Sequence, residues 1–345
     1  MSRGDGAIGA EQPLLDVRGL EVHFPTPKGI VRAVNGVSFS LVKGETLGIV
    51  GESGSGKSVT AFSLLRLVSK PGHIVGGQIR FEGRDLLALS EGELRRVRGR
   101  EIAMIFQEVL TSLDPSYTVG EQIREVLYVH TGRGGREARA AAIELLSHVR
   151  IPGPESVVDR YPHQLSGGMR QRVMIAMAVA CHPKLLIADE PTTALDTTIQ
   201  AQILDLLDDA QRDVGMAMVF ISHDLGVVAR VSDRIAVMYA GRFVELGDKY
   251  QIFDSTLHPY TRALLDAIPR PGSRHHLLRS VQGSVPDLLR PPPGCPFHPR
   301  CPRAEARCSV DLPPLQEWRP GHWAACHFAG DLGGARPRSD GPDNG

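Results

Sequence analysis

The sequence predicts an α/β fold built on a largely parallel β-sheet, and three observations lead to this prediction. Short apolar runs recur along the chain and end in polar residues, as expected of strands that are buried on both faces. These runs are residues 46–50, 102–106, 185–188, 218–221 and 235–238. A glycine-rich turn and then a helix-like segment follow the first run, as in chains that alternate strand and helix.

Two segments near the N-terminus alternate apolar and polar residues instead. Residues 14–22 and 31–42 have this pattern and are bounded by turn residues such as Asn35-Gly36 and Lys43-Gly44. A period of two is typical of strands with one face in the core and the other in solvent. We therefore expect an N-terminal antiparallel β subdomain beside the parallel sheet.

The glycine-rich turn after the first apolar run fits the pattern GxxxxGK[ST], between a predicted strand and a helix predicted over residues 59–68. Glycines let backbone N–H groups turn inward on phosphates, and the helix directs its positive end at the same place. Lys57 is expected to reach the β- and γ-phosphates, and Ser58 to hold Mg²⁺. The motif predicts a P-loop NTPase (RecA-like) core. The candidate nucleotide-binding residues are Gly51, Glu52, Ser53, Gly54, Ser55, Gly56, Lys57, Ser58 and Val59.

Polar residues at the ends of other predicted strands complete a hydrolytic site. We assign Asp189 to Mg²⁺ and Glu190 to the attacking water, which a carboxylate can orient or deprotonate. Gln107 can offer its carbonyl oxygen to Mg²⁺ or to water. His223 can donate to the γ-phosphate, and a capping or packing role is the alternative for this residue. The sequence thus predicts hydrolysis as well as binding.

Composition divides the chain into segments. A Gly-rich leader (1–12) and a polar, Gly/Pro-rich tail (331–345) are predicted to be disordered. Residues 13–250 are predicted to form a nucleotide-binding domain, in which helix formers at about 107–175 indicate an inserted helical subdomain. Prolines and cysteines crowd residues 286–326, and we interpret residues 251–330 as a small Cys/Pro-rich C-terminal appendage.

The charges of the chain are balanced, with 39 Lys and Arg against 39 Asp and Glu. No overall field attracts nucleic acid or an anionic membrane, so we predict no nucleic-acid partner. The sequence contains no apolar run of about 18 residues and no apolar core of a signal peptide. We therefore expect the chain to stay in the cytoplasm.

A further motif precedes the acidic pair, Leu165-Ser166-Gly167-Gly168-Met169-Arg170-Gln171-Arg172. A serine hydroxyl and glycine N–H groups that begin a helix make a second anion site. This segment resembles the signature motif of ABC-transporter ATPases. In that family the motif faces a nucleotide on the P-loop of a partner subunit. The resemblance therefore implies ATP-dependent closure of a dimer, with Ser166, Gly167 and Gly168 on the ATP.

Other residues extend the resemblance to that family. Asp196 resembles the aspartate of its D-loop, and His223 resembles its switch histidine. Phe24 stands at the place of the aromatic residue that stacks on adenine, although an aromatic residue at a strand end can also be part of the core. The resemblance implies ATP and Mg²⁺ as ligands.

Four segments are similar to the oligopeptide/dipeptide importer branch of the family. They are residues 189–196, 106–108, 161–164 and 258–260. The resemblance implies a peripheral ATPase on the cytoplasmic face of the membrane that powers peptide import. It also implies two permease subunits, an extracytoplasmic peptide-binding protein and a second, related ATPase, giving a heterodimer of ATPases. The alternatives are the ATPase of a nickel or other solute importer, and a soluble ABC ATPase without a transport role.

The C-terminal appendage contains a cysteine cluster with the spacing C-x5-C-x6-C-x17-C, formed by Cys295, Cys301, Cys308 and Cys326. Four thiolates on a segment poor in regular structure could hold a metal that replaces a core. Zn²⁺ and a [4Fe-4S] cluster both accept four cysteines. The short CxxC knuckles of zinc sites are absent, and related peptide-importer ATPases with a similar pattern carry a cluster. We therefore favour the [4Fe-4S] cluster, with zinc or no metal as alternatives.

Overall fold

The computed structural model describes residues 12–108, 112–193, 195–268 and 283–332. Almost all of the predicted leader and tail lies outside the described residues. The first strands are β1 Leu15–Thr26, β2 Gly29–Leu41, β3 Thr46–Val50, β4 His73–Phe81, β5 Arg84–Asp85 and β6 Ile102–Ile105. The later strands are β7 Leu185–Asp189, β8 Ala217–Ser222, β9 Arg234–Tyr239, β10 Arg242–Asp248, β11 Gln316–Arg319 and β12 His322–Ala324.

The described helices lie between and after these strands. They are α1 Lys57–Leu64, α2 Glu91–Val97, α3 Val119–Thr131, α4 Gly135–His148, α5 Pro154–Val157, α6 Gly167–Val179, α7 Thr197–Val214, α8 Leu225–Val231, α9 Lys249–Asp254 and α10 Pro259–Asp266. Within the described ranges, no helix combines the length and the apolar character needed to cross a membrane.

A four-stranded antiparallel sheet contains β1, β2, β4 and β5 in the order β2-β1-β4-β5. Buried and exposed residues alternate along much of β1, as its apolar pattern predicts. The hairpin of β1 and β2 is longer than predicted, because Thr26 pairs with Gly29 and its hydroxyl donates to the carbonyl oxygen of Gly29 at 2.8 Å. The predicted antiparallel subdomain is confirmed.

The larger sheet has eight strands in the order β11-β12-β10-β9-β3-β8-β7-β6. The five strands from β9 to the edge strand β6 are parallel to one another. Every residue of β3, β7 and β8 is buried, which explains why these strands are continuous apolar runs in the sequence. The parallel α/β core is therefore confirmed. Parallel strands place their carboxyl ends on one edge, where ligands bind in such sheets.

Helix α1 differs from its prediction at both ends. It begins at Lys57 rather than residue 59, because the N–H of Thr60 already donates to the carbonyl oxygen of Gly56. It ends at Leu64 rather than residue 68, because Arg66 has the positive φ of 52°, which ends a right-handed helix. Lys57 and Ser58 therefore belong to the first turn of the helix.

The helices α3 to α6 lie between β6 and β7 and form the predicted helical insertion. A capping box begins α3: the Thr118 hydroxyl accepts from the N–H of Glu121, whose carboxylate accepts from the N–H of Thr118. Leu127, Ala142 and Leu146 of these helices are buried in one apolar cluster.

The C-terminal region adds strands to the main sheet, which the sequence did not predict. Strand β12 pairs antiparallel with β10, through Ala324 opposite Glu245, and β11 pairs with β12 at the outer edge. The predicted separate appendage is thus partly an extension of the nucleotide-binding fold. The sequence did not predict these strands because β11 and β12 are too short and polar to be recognised by periodicity. They form through pairing with a distant part of the chain.

The buried carboxylate of Glu245 fastens this region to the sheet. It accepts hydrogen bonds from the Thr256 hydroxyl at 2.9 Å and from the N–H groups of Leu257 and His258 at 2.7 and 3.0 Å. The ring Nε2 of His322 in β12 lies 2.8 Å from the same carboxylate. Both Glu245 and His322 are fully buried, so each needs its partner.

Replacing Glu245 by Ala should therefore leave several buried donors without an acceptor. We expect Glu245→Ala to lower the free energy of unfolding by about 3–5 kcal/mol, because each buried donor left without an acceptor costs about 1–3 kcal/mol. Urea denaturation of the full chain measures this change. Glu125→Ala, at an exposed position of α3, is the control and should stay within about 0.5 kcal/mol. Equal stabilities of the two variants would contradict the anchoring role of Glu245.

Candidate nucleotide-binding and hydrolysis site

The P-loop connects the end of β3 to the start of α1. At two of its positions the neighbouring backbone lies so close that only glycine fits. A Cβ on Gly51 would lie 2.2 Å from the carbonyl oxygen of Met238, and one on Gly56 would lie 2.4 Å from that of Ala33. Gly56 also has a φ of +107°, which side chains other than hydrogen rarely permit. These contacts fix the shape of the loop against β9 and β2.

Lys57 is folded into the P-loop. Its ammonium donates to the carbonyl oxygens of Gly51 at 2.8 Å and Glu52 at 3.0 Å. Burial lowers the pKa of Lys57, while the negative charges of Glu190 and Asp189 act in the opposite direction. The ammonium group therefore has only backbone acceptors here, and a phosphate that enters the loop offers it a charged acceptor instead.

Ser58 and Asp189 meet across the sheet edge. The Ser58 hydroxyl donates to Asp189 Oδ1 at 3.1 Å, and Asp189 Oδ2 is buried with no hydrogen-bond partner. Burial raises the pKa of Asp189 to about 6; the hydrogen bond from Ser58 opposes the shift, and the nearby Glu190 adds to it. A hydroxyl beside a partly unsatisfied carboxylate is an oxygen donor set that suits Mg²⁺. These residues therefore fit the predicted divalent ion.

Glu190 follows β7 and has an unusual backbone conformation, with a φ of +49°. Its N–H donates to the carbonyl oxygen of Ile221 in β8 at 2.9 Å, which holds this conformation. The strained position turns its carboxylate toward the ends of the neighbouring strands. Backbone strain of this kind is concentrated at functional sites.

Three polar side chains lie within hydrogen-bond distance of the carboxylate oxygen Oε2 of Glu190. Gln107 Nε2 donates to it at 3.1 Å, the Thr193 hydroxyl donates at 2.8 Å, and His223 Nδ1 lies 3.2 Å away. The structure thus brings together Gln107, Glu190 and His223, which the sequence analysis assigned to one site. The amide nitrogen of Gln107, rather than its carbonyl oxygen, faces Glu190. Thr193 was missed as a site residue, although it lies within the segment 189–196.

The predicted signature residues lie at the start of α6. The Ser166 hydroxyl caps this helix by accepting from the N–H of Met169 at 3.3 Å. Ser166 and Gly167 are exposed to solvent, and a Cβ on Gly168 would lie 3.0 Å from the Ile199 side chain. Among the described residues, no hydrogen bond joins this cap to the P-loop of the same chain.

Two other predicted residues have local partners. Asp196 caps α7, because its side chain accepts from the N–H of Ile199 at 2.9 Å. Phe24 is half-buried at the end of β1, and its ring lies so close to Gly72 that a Cβ there would be 2.4 Å from a ring carbon. Phe24 thus packs against residues of its own chain and the apolar cluster beside it, and its stacking on adenine stays a prediction.

The four cysteines of the C-terminal region line one cavity of about 20 Å³, together with Phe297 and Phe328. Burial raises the pKa of Cys295 to about 11 and also raises the pKa of Cys301 and Cys326. A cavity of that size holds about one or two water molecules, so the thiols would have to move apart to enclose a larger group. Within the described part of the chain, no three His, Cys, Asp or Glu side chains are arranged to hold a metal ion.

Comparison with known proteins agrees with this geometry. A family model described as ABC transporter matches residues 34–193, and one described as oligopeptide/dipeptide transporter, C-terminal region, matches residues 244–308. Among solved structures, a dimeric ATP-binding cassette in a post-hydrolysis state, bound to ADP and Pi, is 28% identical with a TM-score of 0.62. That alignment covers 68% of this chain and 98% of the cassette.

Curated relatives match over nearly the whole chain. The oligopeptide transport ATP-binding protein OppD of Salmonella typhimurium is 51% identical, over 94% of this chain and 98% of the relative. The dipeptide transport ATP-binding protein DppD of Escherichia coli is also 51% identical, over 93% of this chain and 98% of the relative. The chain therefore belongs to the family of ABC transporter ATP-binding subunits, in its oligopeptide/dipeptide branch.

Proposed function

We propose that this chain is the ATP-hydrolysing subunit of a multisubunit ABC importer that carries oligo- or dipeptides across the cytoplasmic membrane. The observation that supports it most is the meeting of Ser58 with Asp189, and of Gln107 and His223 with Glu190, at the sheet edge beside the P-loop. The similarity to OppD and DppD adds the substrate class.

Nucleotide binding exchanges contacts within the P-loop. The Lys57 ammonium releases the carbonyl oxygens of Gly51 and Glu52 and pairs with the β- and γ-phosphates. Ser58 and Asp189 would hold Mg²⁺, which neutralises charge on the phosphate oxygens when it is bound. Because Asp189 Oδ2 has no partner among the described residues, it is available for this role without loss of an existing hydrogen bond.

Hydrolysis then depends on Glu190 as the general base. Its carboxylate takes a proton from water while the water oxygen bonds to the γ-phosphorus, and the bond from that phosphorus to the oxygen of ADP breaks. Oε2 already accepts from Gln107 and Thr193, so the water replaces one of these donors at the carboxylate. His223 is then free to donate to the γ-phosphate.

A second ATPase subunit completes the site in this proposal. Ser166 and Gly167 are exposed to solvent, and no hydrogen bond among the described residues joins this helix start to the P-loop of its own chain. A helix N-terminus of this kind favours an anion such as the γ-phosphate of a nucleotide on a partner. We infer a heterodimer with a related ATPase as the working form.

A groove of about 180 Å³ next to Gln107 supports docking of permease subunits. It lies between β6, α3 and α6 and is lined by apolar side chains such as Phe106, Val126 and Met174. Tyr128 of α3 is also 66% exposed. Exposed apolar surface beside the catalytic glutamine is suited to transmit nucleotide-dependent movement to a membrane partner. The chain then lies on the cytoplasmic face as a peripheral subunit, and an extracytoplasmic peptide-binding protein delivers the substrate.

The substrate is tested by reconstituting the chain with its cognate permeases, second ATPase and binding protein in liposomes. We expect oligo- or dipeptides to enter the vesicles and to stimulate ATP hydrolysis. Stimulation by Ni²⁺ or another solute instead of peptides would assign the alternative importer function. ATP hydrolysis without any coupling to permeases would indicate a soluble ABC ATPase.

The four cysteines are the subject of a finer proposal. We propose that rotation of their side chains lets them bind a [4Fe-4S] cluster, with Zn²⁺ as the alternative. The support is that all four thiols line the same cavity and that none is paired in a disulfide. No step of ATP hydrolysis depends on this metal.

Anaerobic purification followed by analysis of iron, sulfide and zinc tests the cysteine proposal. We expect about four iron and four sulfide per chain, the composition of the favoured cluster. Cys301→Ser should lose the metal, and Cys181→Ser, a cysteine outside the cavity, should keep it. Protein that contains neither iron nor zinc would contradict metal binding.

Replacing Glu190 by Gln should remove the general base and keep the shape of the side chain. We expect Glu190→Gln to slow ATP hydrolysis by about 10² or more while ATP binding persists. Steady-state hydrolysis and equilibrium binding measure the two effects. Glu144→Gln, at an exposed position of α4, is the control. An unchanged rate in Glu190→Gln would assign proton transfer to another group.

The raised pKa of Asp189, about 6, predicts a pH dependence of stability in the absence of nucleotide and Mg²⁺. The folded chain binds this proton more tightly than the unfolded chain, so stability falls as pH rises from about 4 to 6. Asp189→Asn should therefore be more stable than the original chain at pH 8, by on the order of 2–3 kcal/mol, and lose this advantage below pH about 4. Urea denaturation at several pH values measures it. If Asp189→Asn were less stable than the original chain at pH 8, this result would contradict the raised pKa of Asp189.

A further inference from the structure

A side chain of the C-terminal region reaches the P-loop. Arg300 lies immediately before Cys301, and only 5% of its side chain is exposed. Its guanidinium makes two hydrogen bonds to the Glu52 carboxylate, from Nη1 to Oε2 at 2.7 Å and from Nη2 to Oε1 at 3.0 Å. Such two-point pairing of Arg with a carboxylate fixes orientation as well as distance. The second residue of the P-loop is therefore held by a side chain 248 positions later in the sequence.

Glu52 is held at its backbone as well. Its N–H donates to the hydroxyl oxygen of Tyr260 at 2.9 Å, and its carbonyl oxygen accepts from Lys57 at 3.0 Å. Tyr260 belongs to α10, so this contact also comes from beyond the parallel sheet. The side chain, the N–H and the carbonyl oxygen of one loop residue thus each have a partner.

Packed aromatic rings keep Arg300 in place. The rings of Tyr239, Tyr260 and Phe297 lie 4.6 to 5.3 Å apart between centroids, and all three side chains are fully buried. The Arg300 guanidinium lies 5.8 Å from the Tyr239 ring and 5.9 Å from the Phe297 ring. This arrangement limits the rotamers of the arginine and favours its positive charge over the ring faces.

The charge of Glu52 makes this contact relevant to nucleotide binding. A carboxylate in a loop that holds a triphosphate repels its ligand unless a cation neutralises it. Arg300 supplies that cation from a nearly buried position, where solvent screens the charges poorly. Lys57, the other nearby cation, contacts the backbone of Glu52 and is required for the phosphates.

We propose that Arg300 is a positioning residue for nucleotide binding, which neutralises Glu52 and holds the P-loop in the shape that receives the triphosphate. The inference rests on the proposed function, because it assumes that ATP is the ligand of this loop. It gives the C-terminal region a direct part in ATP affinity.

Equilibrium binding of Mg²⁺-ATP to the purified full chain tests the proposal with a set of charge variants. We expect Arg300→Gln to weaken ATP binding about tenfold or more, because it leaves the partly buried Glu52 carboxylate without its cation beside the phosphates. Glu52→Gln alone should bind ATP at least as tightly as the original chain. The double variant Glu52→Gln with Arg300→Gln should return to within about threefold of the original affinity.

Further variants separate charge from fold. Arg300→Lys keeps the charge without the two-point geometry and should lie between the original chain and Arg300→Gln. Arg319→Gln, an exposed arginine of the same region, is the control and should bind ATP normally. In the assembled transporter, Arg300→Gln should raise the KM for ATP and leave kcat within about twofold.

Two outcomes would overturn the proposal. One is normal ATP affinity in Arg300→Gln, and the other is a weakened double variant, which would make the arginine a structural residue only. If Arg300→Gln alone does not fold, the ATP affinities of the double variant and of Arg300→Lys test the proposal instead. Weakened binding in the double variant, or normal binding in Arg300→Lys, would overturn it. Absence of ATP binding by the original chain would instead refute the proposed function itself.

Discussion

The common carboxyl edge of β3, β8 and β7 is the constraint on which the site depends. The P-loop leaves this edge from β3, and Asp189 and Glu190 leave it from β7, with β8 between them. The hydrogen bond from Ser58 to Asp189 spans β8, and the N–H of Glu190 is tied to the end of β8 at Ile221. Because parallel strands fix their relative heights by backbone pairing, residues 131 positions apart meet at 3.1 Å.

Polar groups at this edge are largely satisfied by the chain itself. Lys57 is paired with backbone carbonyl oxygens, and Glu190 is paired with Gln107 and Thr193. Binding and hydrolysis are therefore exchanges of hydrogen bonds, in which phosphate and water replace internal partners at moderate net cost. Among the described residues, Asp189 Oδ2 and the Ser55 hydroxyl of the P-loop are exceptions, because both are buried without a hydrogen-bond partner. Burial also raises the pKa of the Asp189 carboxyl group.

Local sequence signals were sufficient for the parallel strands, the P-loop and the acidic pair, because strand burial and the GxxxxGK[ST] pattern each arise within a few residues. They were insufficient for the C-terminal region. Pairing of β12 with β10 and the contact of Arg300 with Glu52 join segments far apart in sequence, and no periodicity marks such partners. The cysteine spacing indicated a metal, and the structure places the four thiols around one cavity of about 20 Å³.

The most direct test of the account is the affinity of the full chain for Mg²⁺-ATP when Lys57 is replaced by Ala. The account predicts that Lys57→Ala loses ATP binding by about a hundredfold or more, because no other ammonium of the P-loop can pair with the phosphates. Lys43→Ala, at an exposed turn before β3, should bind ATP like the original chain. Equal ATP affinity in Lys57→Ala and Lys43→Ala would contradict the assignment of the nucleotide site to this edge of the sheet.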